Sequence, residues 1–303
     1  MQFLYFLAGF RNAILNPIMQ AFTLLSEESL LLLVILVVYW CVHKKLGLQL
    51  LFITLWGTCI NSILKLIFQV PRPWIKDPNF TIVESARSAA TGFSFPSGHT
   101  QGAGGLYGSL ALFSKGLWRA LFWIVLALIA FSRMYLGVHT PQDVVVSLIL
   151  SIVMAFFVQW LFKQDHHILK AFIALVAFTL LSTLLLPYIP KKASYDATVA
   201  QSILHDSYLL LGSSLGACVG LWLEQRKVQF STKAPLILQG IKCILGIALV
   251  MGIRIALKPL LLAAFNNNIA TLLRYFCIAL FGVAIWPMSF VHLEKLYNSM
   301  AKQ

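Results

Sequence analysis

Long apolar runs fill most of this chain, and short polar segments separate them. About nine of the runs have the roughly 17 to 25 residues that an α-helix needs to cross a hydrocarbon core about 30 Å thick. This pattern predicts an all-α fold, a polytopic bundle of about nine transmembrane helices. The predicted spans cover residues 27–43, 46–69, 97–115, 118–137, 142–162, 168–187, 206–223, 235–257 and 270–290.

The first 25 residues are apolar but interrupted by polar side chains and a proline. Arg11, Asn12, Asn16 and Pro17 would be awkward inside a spanning helix. They suit an amphipathic helix that lies along the membrane surface. We therefore predict an N-terminal interfacial helix rather than a further span.

The composition supports membrane insertion and argues against nucleic-acid binding. Of the 303 residues, 59% are hydrophobic and 11% are charged, whereas roughly a quarter of the residues of a soluble domain are charged. The net charge of +13 is spread over single basic residues between apolar runs, not gathered on one face as nucleic-acid binding requires. The five cysteines lie within or beside apolar runs without zinc-site spacing, so we interpret them as small buried side chains.

Basic residues in the short loops predict the orientation of the helices. The most basic loops all fall on one side of a nine-span arrangement, and the positive-inside rule makes that side cytoplasmic. The candidate chemistry then lies at the opposite, extracytoplasmic face of the plasma (inner) membrane, or at the lumenal face of an organelle. These loops and the C-terminal tail contain Lys44, Lys45, Lys115, Arg119, Lys163, Lys170, Arg226, Lys227, Lys233, Lys295 and Lys302.

Three polar clusters interrupt the apolar pattern near the predicted outer ends of the helices. An ionisable side chain near the bilayer centre costs at least ~2.5 to 3.5 kcal/mol, so such clusters indicate a site. Fixed positive charge, two histidines and one carboxylate are the parts that metal-free phosphoryl transfer needs. The clusters are Lys65 with Arg72-Pro73, then Pro96-Ser97-Gly98-His99, and finally Ser132-Arg133 with His139 and Asp143.

The spacing within two of the clusters suggests their chemistry. Ser97 and Gly98 stand where a loop turns into the third predicted span, and the free N–H groups of a helix start can bind an anion. His139 and Asp143 are one helical turn apart, so the carboxylate can fix the imidazole tautomer and leave the other nitrogen as a nucleophile. Arg133 can clamp a phosphate with two hydrogen bonds.

Each cluster also has a plain structural interpretation. Ser97 can simply cap a helix beside an incidental His99. Asp143 can cap the fifth span next to an interfacial histidine. Lys65 and Arg72 can be a snorkelling lysine and an interfacial arginine. The coincidence of three anion-binding clusters at one membrane face favours a shared phosphate pocket.

Taken together, these residues resemble the three-part signature of the type 2 phosphatidic acid phosphatase superfamily. That superfamily includes lipid phosphatases, glucose-6-phosphatases and vanadium haloperoxidases. The resemblance covers Lys65 to Asp143, roughly a quarter of the chain. It implies a membrane-embedded phosphatase core over residues 1–187, including the interfacial helix, and additional C-terminal transmembrane helices over residues 188–303.

The resemblance also implies a role for each residue and no cofactor or metal. His139 would be the nucleophile, Asp143 would orient it, and His99 would protonate the leaving oxygen. The phosphate would be bound by Lys65, Arg72, Ser97, Gly98 and Arg133. Water would then hydrolyse the phosphohistidine.

The expected function is hydrolysis of a lipid phosphate or diphosphate, with the bilayer and a phosphorylated lipid as partners. Three alternatives stay open at this point. One is a phosphatase for a soluble sugar phosphate, and another is a phosphotransferase that passes the group from His139 to an alcohol. The third is a transporter or structural membrane protein with a dead site.

Overall fold

The structure is a computed structural model that describes residues 1–190 and 197–300. All regular structure in these residues is helical, which confirms the predicted all-α fold. Lys191 and Lys192, in the second predicted outer loop, lie outside the described residues. In chain order the helices are α1 Gln2–Ala8, α2 Leu15–Leu24, α3 Glu28–Val37, α4 Lys44–Phe68, α5 Pro73–Lys76, α6 Gly98–Ala103, α7 Ser109–Phe113, α8 Gly116–Tyr135, α9 Pro141–Leu161, α10 Asp165–Leu185, α11 Ala197–Leu223, α12 Leu236–Ala264, α13 Asn267–Leu280, α14 Trp286–Met288 and α15 Phe290–Met300.

Several helices continue through short π-helical or 3₁₀ segments. A π-helical turn over Gly104–Gly108 joins α6 to α7, so that the chain stays helical from Gly98 to Phe113. The other π-helical turns follow α3, α11 and α13, at Val38–Val42, Glu224–Val228 and Phe281–Ile285, and the 3₁₀ turns are Glu84–Ala86 and Leu186–Tyr188.

Helices in the described residues account for most of the predicted spans. Seven are long and apolar enough to cross a membrane, and α2 with the α3 helix forms a pair bent by 50° that would make an eighth. Every predicted span coincides with a helix, but the third, α6 to α7, is not among these seven. The multi-pass architecture is therefore confirmed, whereas the count of nine is not.

The described helices group into two compact units. The first contains residues 1–32, 56–160 and 186–203, and the second contains residues 33–55, 161–185 and 204–303. All eight candidate site residues belong to the first unit. The boundary predicted at residue 187 stays a prediction.

The N-terminal helices of the first unit pack on the elements that carry the third polar cluster. Leu4 of α1 is buried in an apolar core with Phe80, Tyr135 and Val138. On the same helix Phe3 and Phe6 are exposed, which gives α1 the two-faced character expected of an interfacial helix. The position of α1 at a membrane surface stays a prediction.

Arg11 fastens this N-terminal segment to the end of α8. Its Nε donates to Tyr135 O at 2.9 Å and its Nη1 donates to Thr81 O at 2.7 Å. The guanidinium carbon lies 5.3 Å from the centroid of the Phe80 ring. One side chain thus joins the N-terminus, the loop after α5 and the helix that precedes His139.

The second unit depends on close helix packing and on paired charges. An added Cβ at Gly212 or Gly216 of α11 would overlap a backbone carbonyl of α13, so these glycines are needed for close approach. Lys242 of α12 is fully buried, and its Nζ lies 2.8 Å from Glu294 Oε1. Pairing removes much of the cost of a charge in an apolar helix.

Candidate active site

His139 lies in the short loop between α8 and α9. Gly137 in that loop has φ of +83°, a conformation that glycine adopts without strain. Leu136 and Val138 point into the apolar core and are fully buried. The imidazole of His139 is itself 1% exposed, so the loop holds a histidine in a water-poor position.

Asp143 caps α9 and faces the imidazole. Its Oδ2 accepts a hydrogen bond from Thr140 N at 2.8 Å, and its own amide donates to Thr140 Oγ1 at 3.4 Å, which is a capping box. The same Oδ2 lies 3.5 Å from His139 Nδ1. The carboxylate of Asp143 therefore caps α9 and also faces His139.

The separation between His139 and Asp143 is longer than a good hydrogen bond. Among the described residues, His139 Nδ1 has no hydrogen-bond partner. The carboxylate therefore faces Nδ1 of His139 in this structure without a hydrogen bond to it.

Arg72 holds the other side of the same imidazole. Its Nη1 lies 2.9 Å from His139 Nε2 and donates to Val138 O at 3.0 Å. Nε and Nη2 donate to the carbonyls of Gly92 and Thr91 at 3.0 and 2.6 Å. Because a guanidinium only donates, Nε2 of His139 must be the unprotonated acceptor, and Arg72 has to release this lone pair before it can attack.

Burial keeps His139 in the neutral form. Loss of hydration lowers the pKa of His139 well below its usual value, and the positive charges of Arg72 and Arg133 lower it further. Lys65 and His99 also act on this imidazole electrostatically. These interactions place four basic side chains from separate elements close to His139.

Arg133 brings an unsatisfied guanidinium into the site. The side chain is fully buried, and its Nη1 donates to Thr23 Oγ1 at 3.3 Å. Its Nε and Nη2 have no hydrogen-bond partner among the described residues. A buried cation with two free donors is costly unless an anion completes it, so the site is preorganised for an anionic ligand.

The start of α6 lies against the start of α9. Ser97 is fully buried, and its amide donates to Asp143 O at 3.2 Å. Its Oγ caps α6 by accepting from Thr100 N at 3.4 Å. The first amides of a helix have no acceptor within the helix, so the N–H groups of Gly98 and His99 can donate hydrogen bonds to an anion.

Lys65 and Gly98 complete the phosphate-binding candidates. A Cβ built on Gly98 would lie 3.9 Å from Lys65 Nζ and 3.6 Å from Asn61 Oδ1. These are ordinary contacts, so the structure leaves room for a side chain at this point. The absence of a side chain at Gly98 thus keeps a small space open between the helix start and the ammonium group.

The structure adds two residues that the sequence did not indicate. Ser94 is fully buried and donates from Oγ to Asp143 Oδ2 at 2.6 Å. Glu27 places Oε1 3.2 Å from His99 Nε2. Nothing in the sequence marked Ser94 as a site residue except its position two residues before Pro96. Glu27 was recognisable only as an acidic residue where two apolar runs meet.

Removing the Ser94 hydroxyl should weaken the Asp143–His139 pair without removing either group. We expect Ser94→Ala to lower kcat for a phosphate ester about tenfold, since a hydrogen bond to a charged group contributes roughly 1.5 to 3 kcal/mol and Thr140 retains its own bond. Ser147→Ala is the matched control, because this buried serine donates to the backbone carbonyl of Asp143, not to the carboxylate. Equal kinetics in the two variants would contradict the role given to Ser94.

Comparison with known families decides the class of the protein. Residues 46–167 match the PAP2 superfamily, and residues 208–299 match the transmembrane extension of PAP2 superfamily phosphatases. The chain belongs to the PAP2 superfamily. This confirms the resemblance deduced from the three clusters, and the second match extends it to C-terminal helices that the clusters did not cover.

Relatives in this superfamily carry phosphatase names. A probable sphingosine-1-phosphate phosphatase of Dictyostelium discoideum is 26% identical over 85% of this chain and 70% of its own length. The undecaprenyl-diphosphatase BcrC of Bacillus subtilis is 34% identical over 40% of this chain and 58% of its own. The bovine glucose-6-phosphatase catalytic subunit 1 is 27% identical over 39% and 40%, respectively. No solved structure shows a significant match to the chain.

The matches and the fold together describe a PAP2 phosphatase that is an integral, multi-pass membrane protein. The first family match includes all of the eight candidate residues, from Lys65 to Asp143. The transmembrane extension includes most of α11 to α15.

Proposed function

We propose that this PAP2 phosphatase hydrolyses a phosphate or diphosphate monoester of a membrane lipid through a phosphohistidine at His139. The observation that carries the proposal is the buried, neutral imidazole whose Nε2 lies 2.9 Å from Arg72 Nη1. A phosphate oxygen bound to that guanidinium would bring phosphorus next to the nucleophilic lone pair. Positioning of this kind removes much of the entropic cost of a bimolecular reaction.

The surrounding donors suit the transition state of phosphoryl transfer. Arg133 supplies two free N–H-bearing nitrogens, and Lys65 and the amide of Gly98 supply further positive potential. Such groups stabilise the negative charge of the equatorial oxygens without reorganising. In this proposal Arg72 exchanges part of its backbone contacts for the substrate, and Ser97 fixes the start of α6.

The chemical steps use only side chains of the site and water. Nε2 of His139 attacks phosphorus while the ester oxygen departs with a proton from His99. Neutral His99 then takes a proton from water, which attacks the phosphohistidine and releases phosphate. Asp143 stabilises the positive charge that His139 acquires in the first step, as the carboxylate of a catalytic triad does.

A lipid substrate is supported by the extent of one comparison and by the setting of the site. The relative named as a probable sphingosine-1-phosphate phosphatase aligns with 85% of the chain, whereas the glucose-6-phosphatases align with 39%. The site residues lie at the ends of apolar helices, where the headgroup of a membrane lipid would be. A soluble sugar phosphate is the competing substrate.

We also propose that the site faces the extracytoplasmic or lumenal side of the membrane. The distribution of basic loops supports this orientation. Arg72 follows the C-terminal end of α4, and His139 lies between α8 and α9. The basic residues Lys45, Lys115 and Lys163 lie at the other ends of these three helices.

The mechanism predicts sensitivity to vanadate and tolerance of a chelator. Among the described residues, no group of three or more His, Cys, Asp and Glu side chains is arranged to hold a metal. We expect purified protein in lipid nanodiscs to release phosphate from a lipid phosphate in excess EDTA and to be inhibited by orthovanadate. Phosphate release over a panel of lipid phosphates, a lipid diphosphate and a sugar phosphate is the measurement.

Three results would count against this proposal. A strict requirement for magnesium would contradict the metal-free mechanism. Faster turnover of the sugar phosphate than of every lipid would replace the lipid substrate with the soluble one. Formation of a phosphorylated alcohol in place of free phosphate would identify a phosphotransferase.

A further inference from the structure

The histidine assigned as general acid stands in a strongly positive environment. The charged groups that act on the imidazole of His99 are Arg133 and Lys65, which are cationic, and Glu27, which is anionic. An imidazolium surrounded by cations and removed from water would lose its proton readily. A general acid must keep that proton until the leaving oxygen needs it.

Glu27 is the carboxylate in contact with this imidazole. Its Oε1 lies 3.2 Å from His99 Nε2, and the side chains are 38% and 17% exposed, respectively. A charge-assisted hydrogen bond in such a partly buried setting is stronger than an exposed surface pair. The contact joins residues 72 positions apart, so it depends on the tertiary fold.

The chain around Glu27 is shaped to hold this carboxylate in place. Glu27 lies at the break between α2 and α3, where the helices bend by 50°, and its carbonyl accepts from Leu31 N to start α3. Tyr107 Oη donates to Leu25 O at 2.9 Å, which connects the break to the π-helical turn that continues the helix carrying His99. The segment that carries Glu27 is thus hydrogen-bonded to the helical segment that carries His99.

A second attachment links the break to the phosphate-binding side of the site. Thr23 Oγ1 and Ser132 Oγ share a hydrogen bond of 2.9 Å. Arg133 Nη1 donates to the same Thr23 oxygen. The end of α2 therefore contacts Arg133, which would bind the phosphate, and leads directly to Glu27, which contacts His99.

We propose that Glu27 is a positioning residue that holds His99 through Nε2 and favours the protonated imidazole that the leaving group needs. The inference rests on the proposed function, because it assumes that His99 is the general acid. With Nε2 engaged by Glu27, Nδ1 is the nitrogen that gives its proton to the ester oxygen as the P–O bond breaks. The proton returns when His99 activates water, and Glu27 stays ionised throughout.

The test compares Glu27→Gln with Glu28→Gln on two esters. Glu28 is the exposed neighbour in the first turn of α3, so the control makes the same chemical change one residue away. The esters are a long-chain alkyl phosphate, whose alkoxide needs a proton, and p-nitrophenyl phosphate, whose leaving group needs none. The single-turnover rate of phosphoenzyme formation is measured from pH 5 to about 9 in nanodiscs.

We expect Glu27→Gln to lower the rate of phosphoenzyme formation from the alkyl ester roughly 10- to 100-fold, part of the full effect of a general acid. The rate from the nitrophenyl ester should change by less than about threefold, since transfer of its phosphoryl group to His139 does not depend on the acid. The alkaline limb of the alkyl profile should move to lower pH, because the proton on His99 is held less tightly. Glu27→Asp should recover part of the rate, and Glu28→Gln should match the wild type.

Other outcomes separate this inference from the proposed function. Equal losses on the two esters, or an unchanged alkaline limb, would overturn the role of Glu27 while leaving the phosphatase mechanism intact. A wild-type protein inactive on both esters would overturn the proposed function and this inference with it. Trapping of the phosphoenzyme from nitrophenyl phosphate in Glu27→Gln would show that the variant is folded, so that an alkyl-specific loss is chemical.

Discussion

Replacing His139 with alanine should abolish phosphate release and phosphoenzyme formation. The buried imidazole faces the guanidinium proposed to bind phosphate, with Arg72 Nη1 2.9 Å from its Nε2. We expect kcat to fall at least about 10³-fold, the scale of losses seen when a nucleophile is removed from a preorganised site. Radiolabelled phosphate trapped on denatured protein, together with phosphate release, measures both effects.

His166→Ala is the control for this substitution. His166 is exposed, belongs to the second unit and is not one of the candidate site residues. It should leave turnover at the wild-type level. A His139→Ala protein that still forms an acid-labile phosphoenzyme would show that another side chain is the nucleophile and that the reading of the site is wrong.

Replacing His99 with alanine should affect esters according to their leaving groups. Without a proton donor, an alkyl phosphate must expel an alkoxide, and general acid catalysis contributes about 10²- to 10⁴-fold to such a step. We expect a loss of that size in the rate of phosphoenzyme formation from a lipid phosphate and a loss below about tenfold in that rate from p-nitrophenyl phosphate. Parallel single-turnover measurements of phosphoenzyme formation from the two esters give the ratio directly, because the later attack of water is common to both.

The ratio distinguishes an acid from a binding residue. If His99 only helped to hold the phosphate, both esters would lose the same factor, since they share the phosphate group. Equal losses would therefore refute the acid role. A lipid-specific loss in His99→Ala and a smaller one in Glu27→Gln would together support the positioning of His99 by Glu27.

The position of Arg72 connects the site to the loop that follows it. One guanidinium holds the carbonyls of Thr91, Gly92 and Val138 as well as the imidazole of His139. The loop between α5 and α6 is therefore fastened at the nucleophile.

The sequence was sufficient to predict the class of the fold and the candidate residues. Apolar runs of membrane length determine helices wherever they occur, because unpaired backbone groups are not tolerated in lipid. Charged clusters within such runs mark sites for the same energetic reason. Lys65, Ser97 and Arg133 could thus be predicted as site residues before any contact was known. The three clusters that contain them resemble the signature of the superfamily.

The count of spans depends on local geometry that hydropathy does not record. Residues 27–43 were predicted as a span, and the corresponding helical residues Glu28–Val42 contain a π-helical turn and follow a 50° bend after α2. The run from Gly98 to Phe113 is likewise divided by a π-helical turn. Hydropathy measures the length of an apolar run and does not detect a bend within it.

Only the tertiary structure decided which partners complete the site. Ser94 reaches Asp143 across 49 positions and Glu27 reaches His99 across 72, and no periodicity along the chain records such pairs. Serine and glutamate are common residues whose role depends on what the fold places opposite them. The sequence determined a membrane helix bundle with phosphate chemistry, whereas the packing of helix ends in three dimensions decided how each charge is held, because hydrogen bonds depend on distance and direction rather than on order along the chain.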